Sequence, residues 1–275
     1  MTAPVAIIAG TGALPAHLAT ALASAGRRAL VAGVEGYTVE GIAPDLYFRV
    51  ERLAPFLKSL LDQGVEEVVF AGAVRRPRLD PSLFDPETAA LVPRILPMLQ
   101  QGDDGLLRAV IALFEDAGLR VVGVADVAPD LVPGAGVLGA VEPTRADQKD
   151  AARGAEILAA LGALDLGQGV VVAQGLCLGV EALPGTDALL RGVAAMEPAL
   201  RPDPAKGRGV FCKAPKPGQD RRIDLPTLGP RTVEAAAAAG LAGIAFEAGG
   251  VLMLDRAAMI AEADRLGLFL WAREP

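Results

Sequence analysis

Val5-Ala-Ile-Ile-Ala-Gly-Thr-Gly12 decides the fold. An unbroken apolar run with no polar alternation is a strand covered on both faces, and such strands belong to parallel sheets wrapped by helices. Gly10-Thr-Gly12 supplies a tight turn, and an alanine-rich helical pattern then runs to about Ser24. Strand, glycine turn and helix make the opening of a Rossmann-like unit. The alternation continues outward from there. Ala29–Ala32, Leu46–Val50, Glu67–Phe70 and Arg120–Val124 read as further strands, with helices over Leu53–Gln63, after Pro86, and over Leu106–Ala117. This spacing predicts a parallel sheet with helices on both faces.

Pro129, Pro133, Gly134, Gly136, Gly139 and Pro143 then crowd a stretch with little periodicity, where a domain linker belongs. The expected division is a domain over 1–132 and a second over 133–275. The second half reads as a helix over Arg145–Ala160, neighbouring strands at Gly169–Ala173 and Cys177–Glu181, and a helix over Ala188–Met196 with Thr186 as its N-cap. Gly209–Cys212 reads as a strand, and a helix begins near Thr232. Ile244–Glu247 and Val251–Leu254 flank Ala248-Gly-Gly250, a hairpin signal. Asp255 caps a last helix and Leu268–Trp271 is a terminal strand. The expected class is α/β: an N-terminal Rossmann-like parallel-sheet domain plus a C-terminal mixed α/β domain.

Composition narrows the function. The chain of 275 residues is 52% hydrophobic, enough for a substantial core, yet no apolar run reaches the length of a membrane span. Its first residues lack the basic region of a signal peptide and read as a strand. A formal net charge of −7 argues against general nucleic-acid binding. Cys177 and Cys212 suit reduced thiols better than a disulfide framework. His17 is the one histidine, and it falls in the first helix. A Ser-His-Asp triad, a histidine-rich metal centre or a phosphohistidine would all need that single residue. Any phosphoryl chemistry here must therefore run on carboxylates, Lys, Arg and backbone amides.

The segment Lys213–Pro230 gathers those groups. It holds Lys213, Lys216, Arg221, Arg222, Asp220 and Asp224 among four prolines and two glycines, which deny it a helix interior. Cationic donors beside carboxylates suit diphosphate chemistry, and Asp220 or Asp224 could each give Mg²⁺ an oxygen ligand. The Gly10-Thr11-Gly12 turn can cradle a phosphate at the helix start. As a dinucleotide fingerprint it is incomplete, because Pro15 stands where the third glycine belongs; Glu35 would be the ribose acid of a nicotinamide-binding alternative. Arg75-Arg76 follow the strand ending Ala71-Gly-Ala73 and suit diphosphate oxygens. Asp103, Asp104 and Arg108 sit at a helix start, where carboxylates commonly complement the dipole. Glu181, Thr186, Asp187 and Arg191 form a second polar cluster.

These residues resemble the UDP-2,3-diacylglucosamine pyrophosphatases of the lipid A pathway, the histidine-independent type of some Gram-negative bacteria. The resemblance runs over nearly the whole chain, through Ile8–Pro15, Ala71–Arg75, Gly102–Arg108, Asp165–Gln168, Val180–Asp187 and Lys213–Pro230. Pro184 departs from the family pattern, which has Glu at that position. The resemblance implies Mg²⁺-dependent hydrolysis of UDP-2,3-diacylglucosamine to UMP and 2,3-diacylglucosamine 1-phosphate, in the cytoplasm at the inner face of the inner membrane, with peripheral membrane contact. Asp224, Lys213 and Asp220 would carry the chemistry, Asp224 and Asp220 at the metal. Gly10, Thr11, Gly12, Arg75, Asp104, Arg108, Gln168, Glu181, Thr186, Asp187, Arg191 and Gln219 would bind substrate. The alternatives are an NAD(P)-dependent oxidoreductase and a non-enzymatic nucleotide or lipid carrier.

Overall fold

A computed structural model describes residues 3–74, 79–95, 103–223 and 225–275. The chain divides into two units, Met1–Pro129 with Asp220–Asp224, and Asp130–Gln219 with Leu225–Pro275. Relative to a boundary at 132/133, this division gives the first unit a short excursion of the later chain.

The first unit opens with β1 (Val5–Ala9), α1 (Leu14–Ser24), β2 (Ala29–Val34), β3 (Leu46–Phe48), α2 (Leu53–Asp62) and β4 (Glu67–Ala71). It continues with α3 (Pro86–Ile95), α4 (Asp103–Asp116), β5 (Arg120–Val121) and α5 (Val124–Val127). All five strands are parallel, in the order β3-β2-β1-β4-β5. Every residue of β1 is buried, as the apolar run requires. Ala6, Ile8, Leu30, Ala32 and Val68 face one core with Phe56 of α2 and Phe114 of α4. In it Phe48 stacks on Phe56 at 3.9 Å, and Phe70 meets Phe114 edge-on at 5.1 Å. α1 starts with Pro15 in its first turn and buries Leu14, Leu18 and Leu22, one residue per turn.

The turn after β1 is locked to the loop after β4. Gly10 N donates to Ala71 O at 2.8 Å, Thr11 N to Ala73 O at 2.9 Å, and Ala73 N back to Thr11 O at 3.1 Å. Backbone approaches backbone so closely that a Cβ on Gly10 would stand 2.6 Å from Ala73 O. Gly10→Ala is expected to destabilise the first unit by about 1–3 kcal/mol through overpacking, read as a shifted midpoint in urea unfolding.

The second unit contains β6 (Gly136–Leu138), α6 (Arg145–Ala163), β7 (Gly169–Ala173), β8 (Leu176–Val180), α7 (Thr186–Ala194) and β9 (Val210–Lys213). After the Pro/Gly segment come β10 (Thr227–Leu228), α8 (Pro230–Ala238), β11 (Gly243–Glu247), β12 (Leu252–Met253), α9 (Arg256–Leu266) and β13 (Phe269–Arg273). Six strands form a mixed sheet in the order β6-β13-β11-β9-β7-β8. β9, β11 and β13 are parallel, while β6, β7 and β8 pair antiparallel with their neighbours. The stretch read as a linker therefore contributes an edge strand. Val171, Phe211, Ile244 and Leu270 face one core with α7, α8 and α9; Val170, Val172, Val210 and Cys212 face another with Ala151 and Leu158 of α6.

Two expectations from the sequence are corrected. Ile244–Glu247 and Val251–Leu254 do not form a hairpin: both sides of β11 are taken by β9 and β13, so β12 has no edge to join and pairs with β10 instead. The helix read as Ala188–Met196 begins earlier, at Thr186, and its N-cap is Gly185 with φ 82°, a left-handed conformation that glycine adopts without strain. Thr186 is thereby released from capping. Cys177 and Cys212 are both free, and burial pushes the Cys212 thiol up to about 12, which leaves it inert. No helix among the described residues is long and apolar enough to cross a membrane.

Candidate functional site

The strand directions of the mixed sheet bring distant residues to one edge. β9, β11 and β13 end there, β8 ends there, and antiparallel β7 begins there, with Gly169 opposite Lys213 in register. Lys213 Nζ donates to Thr186 Oγ1 at 2.5 Å, and Thr186 Oγ1 donates to Glu181 Oε1 at 3.2 Å. Glu181 Oε2 lies 3.7 Å from the same ammonium, an ion pair. That oxygen is buried and accepts no hydrogen bond from the described residues. Only 6% of Lys213 is exposed, so its charge acts from within the wall of the sheet edge. A cation so enclosed is held by its partners and interacts strongly with any nearby anion, because little water screens it.

A second set of contacts fixes the loop after β9. Gln168 Nε2 donates to Gln219 Oε1 at 2.8 Å, and Lys216 N donates to the same oxygen at 2.9 Å. Ala214 N donates to Gln168 O at 3.1 Å, and Lys216 Nζ pairs with Asp165 Oδ1 at 2.7 Å. Gln168 and Gln219 thus brace the loop that leaves Lys213. Asp187 and Arg191 lie exposed on α7, and neither takes part in the Lys213–Thr186–Glu181 hydrogen bonds. Glu247, at the carboxyl end of β11, stands at the same edge and was not singled out in the sequence. A Cβ on Gly250 would stand 2.6 Å from its Oε1 and 3.0 Å from Pro215, so Glu247 borders the same loop. Its signal was the one Glu181 gave: a carboxylate closing an otherwise apolar strand.

In the first unit, Gly10, Thr11 and Gly12 lie at the carboxyl end of β1, where the strand order reverses and open α/β sheets place their ligand crevice. Thr11 is exposed, and its hydroxyl donates to Ala73 O at 3.0 Å. Glu35, the ribose acid of the nicotinamide alternative, is paired with Arg49 at 2.6 Å. Arg108 lies exposed on α4. Arg75, Asp224 and the side chain of Asp104 lie outside the described residues.

Asp220 belongs to this first unit, and Arg222 occupies it. The carboxylate accepts from Arg222 Nε at 3.0 Å, from Nη2 at 2.7 Å and from the Arg222 amide at 3.0 Å. Arg222 Nη1 reaches across to Glu115 at 2.8 Å, and Ile223 packs against the core beneath the sheet. Sequence reasoning missed this anchor, because Glu115 is far away in the chain. The Arg222 hydrogen bonds hold Asp220 below its ordinary value of 3.8, with a smaller contribution from the charge of Arg108. The folded protein therefore binds that proton more weakly than the unfolded chain. The stability it contributes is complete above the ordinary value and is lost as pH falls through the lowered one. Arg222→Ala is expected to cost no more than about 1 kcal/mol at neutral pH, as befits partly exposed ion pairs. Denaturation at stepped pH should show wild type and variant converging below the ordinary carboxylate range.

With its oxygens committed to Arg222, Asp220 as placed does not fit a metal ligand. Among the described residues there is no group of three or more His, Cys, Asp or Glu side chains arranged to hold an ion.

Comparison with known proteins covers both units. The LpxI N-terminal domain matches residues 4–131 and the LpxI C-terminal domain matches residues 134–271. The chain is 40% identical over 271 residues to the UDP-2,3-diacylglucosamine pyrophosphatase LpxI of Caulobacter vibrioides, a similarity spanning 98% of this chain and 97% of that one.

Proposed function

The chain belongs to the LpxI family, and from that premise we propose how its own residues hydrolyse the diphosphate of UDP-2,3-diacylglucosamine in lipid A biosynthesis. The observation that carries the reading is coverage: the similarity to the Caulobacter enzyme takes in both units nearly end to end. The family matches stop at 131 and resume at 134, which supports a functional boundary at 132/133.

In the proposed reaction a water oxygen bonds to one phosphorus and the bond from that phosphorus to the bridging oxygen breaks. UMP and 2,3-diacylglucosamine 1-phosphate leave. Charge grows on the bridging oxygen, and a poorly screened cation is worth most there. Lys213 supplies one such charge, held in place by Thr186 and Glu181; Arg75 supplies another. Asp224 orients the attacking water. The Gly10-Thr11-Gly12 turn, with Asp104, Arg108, Gln168, Asp187, Arg191 and Gln219, positions the nucleotide sugar, and good positioning alone removes a large part of such a barrier.

Asp224 would be the protein ligand of Mg²⁺, which would neutralise charge on the diphosphate oxygens. The enzyme works in the cytoplasm, peripheral to the inner face of the inner membrane, because its substrate's acyl chains reside there. Incubating the protein with UDP-2,3-diacylglucosamine, with and without Mg²⁺, and weighing the products tests the reading. UMP and the acylated sugar phosphate are expected in equal amounts with Mg²⁺. Intact substrate after prolonged incubation would overturn it.

A further inference from the structure

Three leucines of the second unit stand in solvent: Leu183 is 103% exposed, Leu164 72% and Leu166 45%. Exposed leucines scattered singly are ordinary, but a group beside a site marks a contact surface. These three come from two loops that touch. Gly167 lies so close to the Glu181 backbone that a Cβ would overlap the Glu181 carbonyl, and Glu181 N donates to Gly169 O at 2.7 Å. Leu166 directly precedes that contact; Leu183 follows it by two residues. Val180, 40% exposed, stands on the other side of Glu181.

The charges among these leucines are answered within the unit. Asp165 pairs with Lys216 at 2.7 Å and Glu181 faces Lys213 at 3.7 Å. Apolar side chains thus project between compensated charges, at the same edge as the enclosed ammonium. A net charge of −7 gives no general attraction to anionic headgroups, so membrane adhesion would have to come from apolar insertion.

We propose that Leu164, Leu166 and Leu183 form an apolar prong that enters the headgroup–acyl boundary of a phospholipid bilayer and sets the Lys213 edge against it. The proposal rests on the reading of the substrate as a diacylated nucleotide sugar, whose chains remain in the bilayer while its diphosphate meets Lys213. Continuity with that edge selects the bilayer: an occupant that covered the leucines as a second copy of the chain would also close the approach to the cation.

Sedimentation with vesicles of phosphatidylethanolamine and phosphatidylglycerol decides it. The triple variant Leu164→Ser/Leu166→Ser/Leu183→Ser should bind at least about tenfold more weakly than wild type. Its kcat/KM on detergent-dispersed substrate should stay within about twofold, while turnover of vesicle-embedded substrate falls with binding. Leu183→Ser alone, at a fully exposed position, should weaken binding in the same direction and excludes misfolding as the cause. Vesicle binding by the triple variant equal to that of wild type overturns the proposal, as does a wild type that ignores vesicles. Light scattering that shows the triple change splitting a dimer would assign the leucines to self-association and overturn it too. Failure of wild type to hydrolyse detergent-dispersed substrate would strike the functional reading instead, and vesicle binding would still decide this one.

Discussion

Asp224→Ala is expected to leave a folded protein whose turnover falls by at least about 10³-fold. The chain around the position supports this. Ile223, partly buried, packs against the core of the first unit, and Leu225 already belongs to the second. Arg222, bridging Asp220 and Glu115, pins the segment just upstream. A segment whose prolines and glycines deny it a helix interior should tolerate the loss of one carboxylate, so the change should not unfold either unit. With Asp220 held by Arg222, the proposed mechanism gives the action on water or Mg²⁺ to Asp224. Its effect should fall on kcat with KM little changed, since orienting the attacking water matters in the transition state and hardly at all in binding. Steady-state rates and substrate affinity, measured on a variant with wild-type circular dichroism, check this. Near-normal turnover would remove Asp224 from the mechanism.

Lys213→Met should cost both rate and stability, and the two losses should separate. On the proposed mechanism, removing the ammonium would take a cation away from the diphosphate, on the order of 10²–10³ in kcat by analogy with the loss of one donor to a developing anion. It also strands Glu181, whose Oε2 is buried, accepts no hydrogen bond from the described residues and lies 3.7 Å from that ammonium. Breaking a buried pair by removing one member costs about 3 kcal/mol or more. The double variant Lys213→Met/Glu181→Gln should regain most of that stability, because no uncompensated charge remains, yet recover none of the turnover. Urea unfolding and steady-state rates on the same preparations separate the two. If the double variant hydrolysed substrate normally, Lys213 would be a structural residue.

The sequence by itself determined a good deal of this protein. The unbroken apolar run of β1 required covering on both faces, and its glycine turn and amphipathic successor required a parallel α/β unit; these are local consequences of side-chain chemistry and period. A single histidine restricted the chemistry by elimination. Motif resemblance led to the family, and the polar residues of Val180–Asp187 and Lys213–Pro230 were legible as a candidate site because charged groups closing apolar strands have few other reasons to be there. What tertiary structure decided was partnership. Lys213, Thr186 and Glu181 meet because β7 runs antiparallel to β8 and β9, a direction that no local pattern encodes. Thr186 reads as an N-cap from its neighbours, but a left-handed Gly185 takes that position and frees its hydroxyl for Lys213. Asp220 reads as a metal ligand from its neighbours, but Arg222, itself paired with Glu115, occupies its carboxylate. The apparent hairpin at Ala248–Gly250 failed because both edges of β11 were already paired, a fact about the sheet's other strands. Local propensity and pattern act over a few residues, whereas pairing order and charge partners are settled by which distant segments reach the same edge.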